Sequence, residues 1–505
     1  MLARATTFAI DGVEPRRIAV EVDIRPGLPA FTIVGLADTA VREARERVRA
    51  AIQNSGFEFP QRRITANLAP ASLRKIGPGF DAALALAVLA GSGQLDAAYL
   101  VDVAVYGELS LSGELRWAAG TLAVAEGARR HRIPALVVPA AQAREASLID
   151  GIRVLGVSNL AAAVEAVTGR VIPPLPETAS EVRPRVMPDL ADVRGQRIPL
   201  RAMEIAAAGG HNLLFEGHPG TGKTMLARRL PSILPPLSRA EALEVTRVHS
   251  VAGLHSGGLV NERPFRAPHH TISAAGLVGG GNPPKPGEAS LASGGILFLD
   301  ELSEFQRPTL EALRQPLEDG RVTIVRGQRA LVFPTRFMLV AATNPCPCGF
   351  AGAGDRCTCS EMDIRRHERR LSGPLLDRMD MLVNVARPSE ADLGAGAVTD
   401  SSAVRQRVMA ARERQVYRLR GTRAACNGEL DASLIQARIR LDAAAQATLG
   451  SAYLRGTLSA RGRFRVIRVA QTIADLAARD VVGVEDVLGA LALREQHGSG
   501  ERAVA

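Results

Sequence analysis

Eight residues, GHPGTGKT at 217–224, fit the pattern G-x4-G-K-[ST] that cradles nucleotide phosphates. Gly217, Gly220 and Gly222 let backbone N–H groups curl around phosphate oxygens without Cβ clashes, and His218, Pro219 and Thr221 complete the loop. Lys223 offers a point charge to the β- and γ-phosphates, and Thr224 offers a hydroxyl to Mg2+. In GGILFLDEL, Asp300 suits Mg2+, mostly through water, and Glu301 suits polarisation of an attacking water. Asn344, at the end of FMLVAATN, is placed to orient the same water. Together these residue types are those of ATP hydrolysis.

A second constellation follows directly. Cys346, Cys348, Cys357 and Cys359 form C-x-C-x8-C-x-C across a Gly-rich connection. Four clustered thiolates suit a tetrahedral structural Zn2+, with thiol redox chemistry and unligated thiols as the alternatives. Cys426 stands alone and reads as a small buried residue.

These groups need particular supports. NLLFE before the loop reads as a buried strand, and MLARRL after it as a helix whose N-terminus adds partial positive charge. ILFL and FMLVAA read as buried parallel strands, with their polar residues at the C-terminal ends where open α/β sheets bind ligands. Residues 1–172 alternate strand-type runs such as RRIAVEVDI with helical ones such as TAVREARERVRAAIQ, an α/β pattern. A Pro-rich linker is expected at 173–194 and an α/β core at 195–392, the latter interrupted by a Gly/Pro/His-rich insertion at 253–288. Residues 400–505 are Ala/Arg/Leu-rich with helical periodicity.

Over 505 residues the chain is 46% hydrophobic and 23% charged, which excludes disorder, and no run of about 18 apolar residues exists to span a bilayer. A cytoplasmic location without membrane partners is expected. Net charge is +10, with 17 Arg against 10 Asp plus Glu in 401–505. That excess suggests a polyanionic partner; a solvated helical surface is the alternative.

The three strands in this order, with PFRAPHHTIS at 264–273 and PKPGEASLASGGILFLDEL at 284–302, resemble the magnesium-chelatase-like AAA+ ATPases, and within them the ComM/YifB family. The resemblance implies a Lon-protease-like N-terminal domain, an AAA+ P-loop core and a C-terminal helical lid. It implies a homo-hexameric motor using ATP and Mg2+ on single-stranded or branched DNA. Its expected work is branch migration in recombination during natural transformation, with other recombination proteins as further partners. A metal-inserting chelatase motor and a non-hydrolysing DNA-binding scaffold are the alternatives.

Further residues follow from the resemblance. SGPLLDRMD makes Arg378 an arginine finger reaching a neighbouring subunit's ATP, with an ion pair to Asp377 or Asp380 as the alternative. SARGRFRVIRVAQTIADL puts Arg461 in the sensor-2 position, with Arg465 and Arg468 near it or facing solvent. EDGRVTIVRGQRALVFP reads as a pore hairpin with Arg326 and Arg329 on DNA phosphates, or as an ordinary exposed hairpin. The insertion with His269, His270 and Lys285 is a second DNA-facing loop. His269 and His270 are a poor metal pair if they lie on one strand, because neighbours there face opposite ways. In KIGPGFDAALALA, Gly79 stands where Lon carries its nucleophilic serine, and no lysine follows in GELRWAAGTLAVAEGA, so peptidase chemistry lacks its nucleophile and base.

Overall fold

Two parallel-rich sheets organise the chain, and the second carries the candidate site at the C-terminal ends of its strands. The computed structural model describes residues 1–35, 38–174, 187–254, 257–282, 284–326, 329–370, 373–394, 396–456 and 458–494. The first sheet has seven strands in the order Ala30–Val34, Arg63–Ala69, Glu14–Arg25, Leu2–Asp11, Val103–Val105, Ala135–Pro139 and Arg153–Val157. Glu14–Arg25 alternates buried and open positions, as a strand with one face on a core must. The helix Asp81–Gly91, DAALALAVLAG, is buried along its whole length, because it is apolar on every side.

A Cβ added at Gly79 would lie 2.4 Å from Tyr106 Cε2. The Tyr106 hydroxyl donates to Ala119 O at 2.6 Å, so the ring is pinned there. The space into which a side chain at Gly79 would project is therefore filled by an aromatic ring.

The second sheet has five strands, all parallel: Phe265–Arg266, Ile296–Leu299, Met338–Thr343, Leu213–Glu216 and Met381–Asn384. Ile296–Leu299 and Met338–Thr343 are buried at every position, as expected for strands covered on both faces. Met338–Thr343 lies between the other two predicted strands, with Glu216 opposite Thr343 and Leu299 opposite Ala341. Gly217, Asp300 and Asn344 thus leave one edge of the sheet together. The helices Ser401–Arg418, Ala432–Arg438, Ala443–Leu454, Ala460–Leu476 and Val484–Ala492 share a core with Arg197–Gly209 and this sheet. Leu190 and Val193 are buried in the same core, so packing begins ahead of the boundary expected at 195. Residues 175–186 of the expected linker lie outside the described residues.

Two hairpins project beside this sheet. One pairs Arg321–Arg326 with Arg329–Pro334, and the other pairs Gly279–Gly280 with Lys285–Pro286. They touch, since a Cβ at Gly279 would meet Ile324 Cδ1 at 2.9 Å. The turn between the first two strands of the chain reaches the base of the longer hairpin. Val13 is buried with Val248, Leu291, Val322, Leu331 and Phe333, and a Cβ at Gly12 would lie 3.1 Å from Val332 O. Nearby, the buried Glu145 accepts from Leu122 N at 2.9 Å and from Ser250 Oγ at 2.5 Å, tying the first sheet's helices to the helix Arg239–Ala252. Burial raises the Glu145 pKa despite these donors. Among the described residues, no helix is long and apolar enough to cross a membrane.

Candidate nucleotide site

The phosphate loop turns through left-handed backbone at Gly220 (φ 77°) and Gly222 (φ 94°), conformations that favour glycine, and opens directly into the helix Lys223–Ile233. That helix directs its first N–H groups and its positive dipole end at the loop. Lys223 Nζ donates to Gly217 O (2.6 Å), His218 O (2.9 Å) and Asn344 Oδ1 (3.0 Å). Burial lowers its pKa, against the opposing pull of Asp300, Glu216 and Glu301.

Thr224 Oγ1 donates to Asp300 Oδ2 at 2.7 Å. This pairs a hydroxyl and a carboxylate, the hard oxygen ligands Mg2+ prefers, beside a cation-tipped glycine loop. The donor set therefore fits ATP with Mg2+. Asp300 Oδ1 also accepts the backbone N–H of Glu301 at 3.0 Å, and Glu301 has a left-handed φ of 51°. A non-glycine residue held there is strained locally. A cleft of about 320 Å3 opens beside it, lined by His270, Glu301, Glu304, Asn344, Cys346 and His367. His367, itself buried, contacts Asn344 O at 2.9 Å through Nε2.

His269 and His270 are not on a strand. They follow Phe265–Arg266 in a turn closed by Ile272 N donating to His269 O, and their rings lie 4.1 Å apart. The expectation that they face opposite ways is corrected, because it assumed extended backbone.

The four cysteines converge. Sγ–Sγ distances are 3.4 Å for 346–348, 3.9 Å for 346–357 and 3.7 Å for 348–357, and all four sulfurs lie within 4.8 Å of one another. Zn–S bonds of about 2.3 Å in a tetrahedron put sulfurs about 3.8 Å apart, so the cluster has the dimensions of a four-thiolate zinc site. Backbone N–H groups of Phe350 and Thr358 aim at Cys348 Sγ and bring its pKa down to about 5. The loop they close rests on the phosphate loop. His218 Nε2 meets Ala351 O at 3.1 Å, and a Cβ at Gly349 would strike Pro219 Cγ at 2.6 Å. Sequence spacing showed the cluster but not this seat. Cys426 is buried, as its isolation suggested.

Arg378 forms an ion pair with Glu318 of its own chain. Asp380 anchors a buried network. Arg468 Nη2 reaches Asp380 Oδ1 at 2.8 Å, Arg465 Nε approaches it at 3.7 Å, and Asn212 N donates to Oδ2 at 3.0 Å. Burial pushes the Asp380 pKa up, but Arg468, His211 and Arg465 outweigh it and hold the carboxyl well below its usual range. Arg465 and Arg468 therefore do not face solvent, whereas Arg461 is exposed on the same helix. Asp380 carried no sequence signal beyond its place after Arg378.

Arg326 and Arg329 are paired in register at the closed end of the longer hairpin. Their side chains and residues 327–328 lie outside the described residues. Lys285 is exposed on the adjoining hairpin.

Comparison with known proteins locates the chain among relatives. The family model for magnesium chelatase, subunit ChlI, matches residues 189–393. The model for subunit ChlI of Mg-chelatase matches 20–142, and that for the subunit ChlI C-terminal region matches 398–494. The uncharacterized protein YifB of Escherichia coli is 42% identical over 492 residues, covering 97% of this chain and 96% of YifB. The competence protein ComM of Haemophilus influenzae is 41% identical over 505 residues, covering 98% and 97%. The Holliday junction branch migration complex subunit RuvB of Pseudarthrobacter chlorophenolicus is 31% identical over 228 residues, covering 41% of this chain and 52% of RuvB.

Proposed function

Because this chain belongs to the magnesium-chelatase-like ComM/YifB family of AAA+ ATPases, we propose that it is a homo-hexameric motor that couples ATP hydrolysis to movement on DNA. Its substrates on this reading are single-stranded and branched recombination intermediates, and its work is branch migration during uptake of DNA. The observation that carries the motor reading is the convergence of Lys223, Thr224, Asp300, Glu301 and Asn344 on one sheet edge.

Each residue has a defined task. The loop amides and Lys223 would bind the β- and γ-phosphates, Thr224 and Asp300 would hold Mg2+, and Glu301 would take a proton from water that Asn344 orients. Mg2+ supplies charge neutralisation on the phosphates. Arg378 acts on a neighbouring subunit's nucleotide, and Arg461 supports it from the helical lid. Cys346, Cys348, Cys357 and Cys359 would hold a structural Zn2+.

The DNA reading is supported by the basic balance of the chain, by the paired hairpins with Arg326, Arg329 and Lys285, and by the names of ComM and RuvB. The first domain serves as a scaffold, since Gly79 offers no nucleophile. The test is ATP turnover on single-stranded, forked and three-stranded DNA. Stimulation that weakens steeply with salt supports the reading, because phosphate contacts release counterions. Turnover indifferent to DNA at low salt favours a chelatase-type motor instead.

A further inference from the structure

The Glu301 carboxylate faces an imidazole. Glu301 Oε2 lies 3.7 Å from His270 Nδ1, and both residues line the cleft that also holds Asn344. We propose that His270 is the positioning residue for Glu301, keeping its carboxylate turned into the cleft where water is activated. The inference rests on the ATPase reading above and adds to it a residue outside the phosphate loop and the sheet-edge carboxylates.

The support for His270 is built in three layers. Its strand, Phe265–Arg266, runs parallel to Ile296–Leu299 with Arg266 opposite Leu297, so the turn after it arrives beside Asp300 and Glu301. Arg266 is fixed by a two-pronged pair with Glu288, at 2.6 and 2.8 Å. The His270 ring is then wedged between His269, centroids 4.1 Å apart, and the edge of the buried Phe305, 6.4 Å away at 76°.

Glu301 needs such a partner. Its own side chain is 57% exposed, and an exposed glutamate samples several rotamers. Its backbone N–H is already committed to Asp300. A small rotation of either side chain turns the 3.7 Å approach into an Nδ1–H donation to Oε2, while the carboxylate's other oxygen stays open to water.

The experiment measures ATP turnover, ATP affinity by a fluorescent nucleotide analogue, and thermal unfolding for His270→Ala, His270→Gln, Glu301→Gln and the double variant His270→Ala/Glu301→Gln. His270→Ala is expected to lower kcat on the order of 10- to 100-fold with KM and nucleotide affinity nearly unchanged. His270→Gln keeps a donor and recovers part of the loss. The double variant turns over no more slowly than Glu301→Gln alone, because the histidine acts through the glutamate. Loss of affinity and melting temperature in step with kcat, or equal failure of the Ala and Gln variants, overturns the proposal. Wild-type turnover in Glu301→Gln overturns the site reading itself, a result separable from the first two.

Discussion

Lys223 Nζ and Asn344 Oδ1 are 3.0 Å apart, joining the tip of the phosphate loop to the end of the central strand. The two residues are far apart in sequence, and the parallel register of Glu216 with Thr343 brings them together. Asn344→Ala should remove an orienting group while leaving the loop's own phosphate donors. Turnover is expected to fall on the order of 100-fold, with a much smaller change in ATP affinity. Steady-state kinetics beside equilibrium nucleotide binding checks the split.

Arg378 has a partner within its own chain, Glu318. A finger that serves a neighbour must exchange that partner for the neighbour's nucleotide. Arg378→Ala should fold, bind ATP and fail to hydrolyse it. Mixed with wild type, it should depress turnover more steeply than dilution alone; a titration of mixed subunits reads this directly. Glu318→Ala removes this ion pair and should leave turnover at or above wild type.

Asp380 sits almost fully buried among Arg468, Arg465, His211 and the Asn212 amide. Asp380→Ala strands buried cations and should cost about 3–5 kcal/mol, measured by chemical denaturation. The pH dependence has a definite sign. The folded pKa is depressed below the unfolded value of about 3.9, so the contribution is complete above that value and is lost as pH falls toward the folded one. The stability difference between wild type and Asp380→Asn should therefore shrink on acidification below about pH 4.

Purified protein should carry about one zinc per chain by elemental analysis, in keeping with four thiolates around one tetrahedral ion. Chelation, or Cys346→Ser, should lower melting temperature and also weaken nucleotide binding, because the cysteine loop rests against Pro219 and His218. A metal-free preparation with unchanged stability and binding removes zinc from the account.

Gly79→Ser tests the leading domain from the opposite direction. Its Cβ must enter space held by Tyr106, and overpacking of this kind costs about 1–3 kcal/mol. A lower melting temperature without any gain of peptidase activity is expected.

What could be read from the chain beforehand was whatever chemistry ties to short spacing. GHPGTGKT and the Asp300–Glu301 pair announce themselves because phosphate and Mg2+ demand fixed residue types next to one another. The Ala/Thr-rich strand Leu2–Asp11 gave little hydrophobic signal and emerges only through pairing with Glu14–Arg25. Asp380's embrace by Arg468 and the resting of Gly349 on Pro219 depend on tertiary meetings that no local pattern encodes. His269 and His270 mislead for a different reason: their facing depends on backbone dihedrals, and residue types alone do not separate a turn after proline from a strand.

The close seat of Gly12 and Val13 against Val332 and Phe333 makes the first sheet part of the hairpin's foundation rather than an attached module. Excising that sheet would uncover the apolar undersurface of the hairpin and leave it without its brace, much as removing an abutment unloads an arch. A shortened protein that loses activity would thus be reporting on the hairpin's footing, and point changes at Gly12 or Val13 are the gentler way to ask what the leading domain contributes.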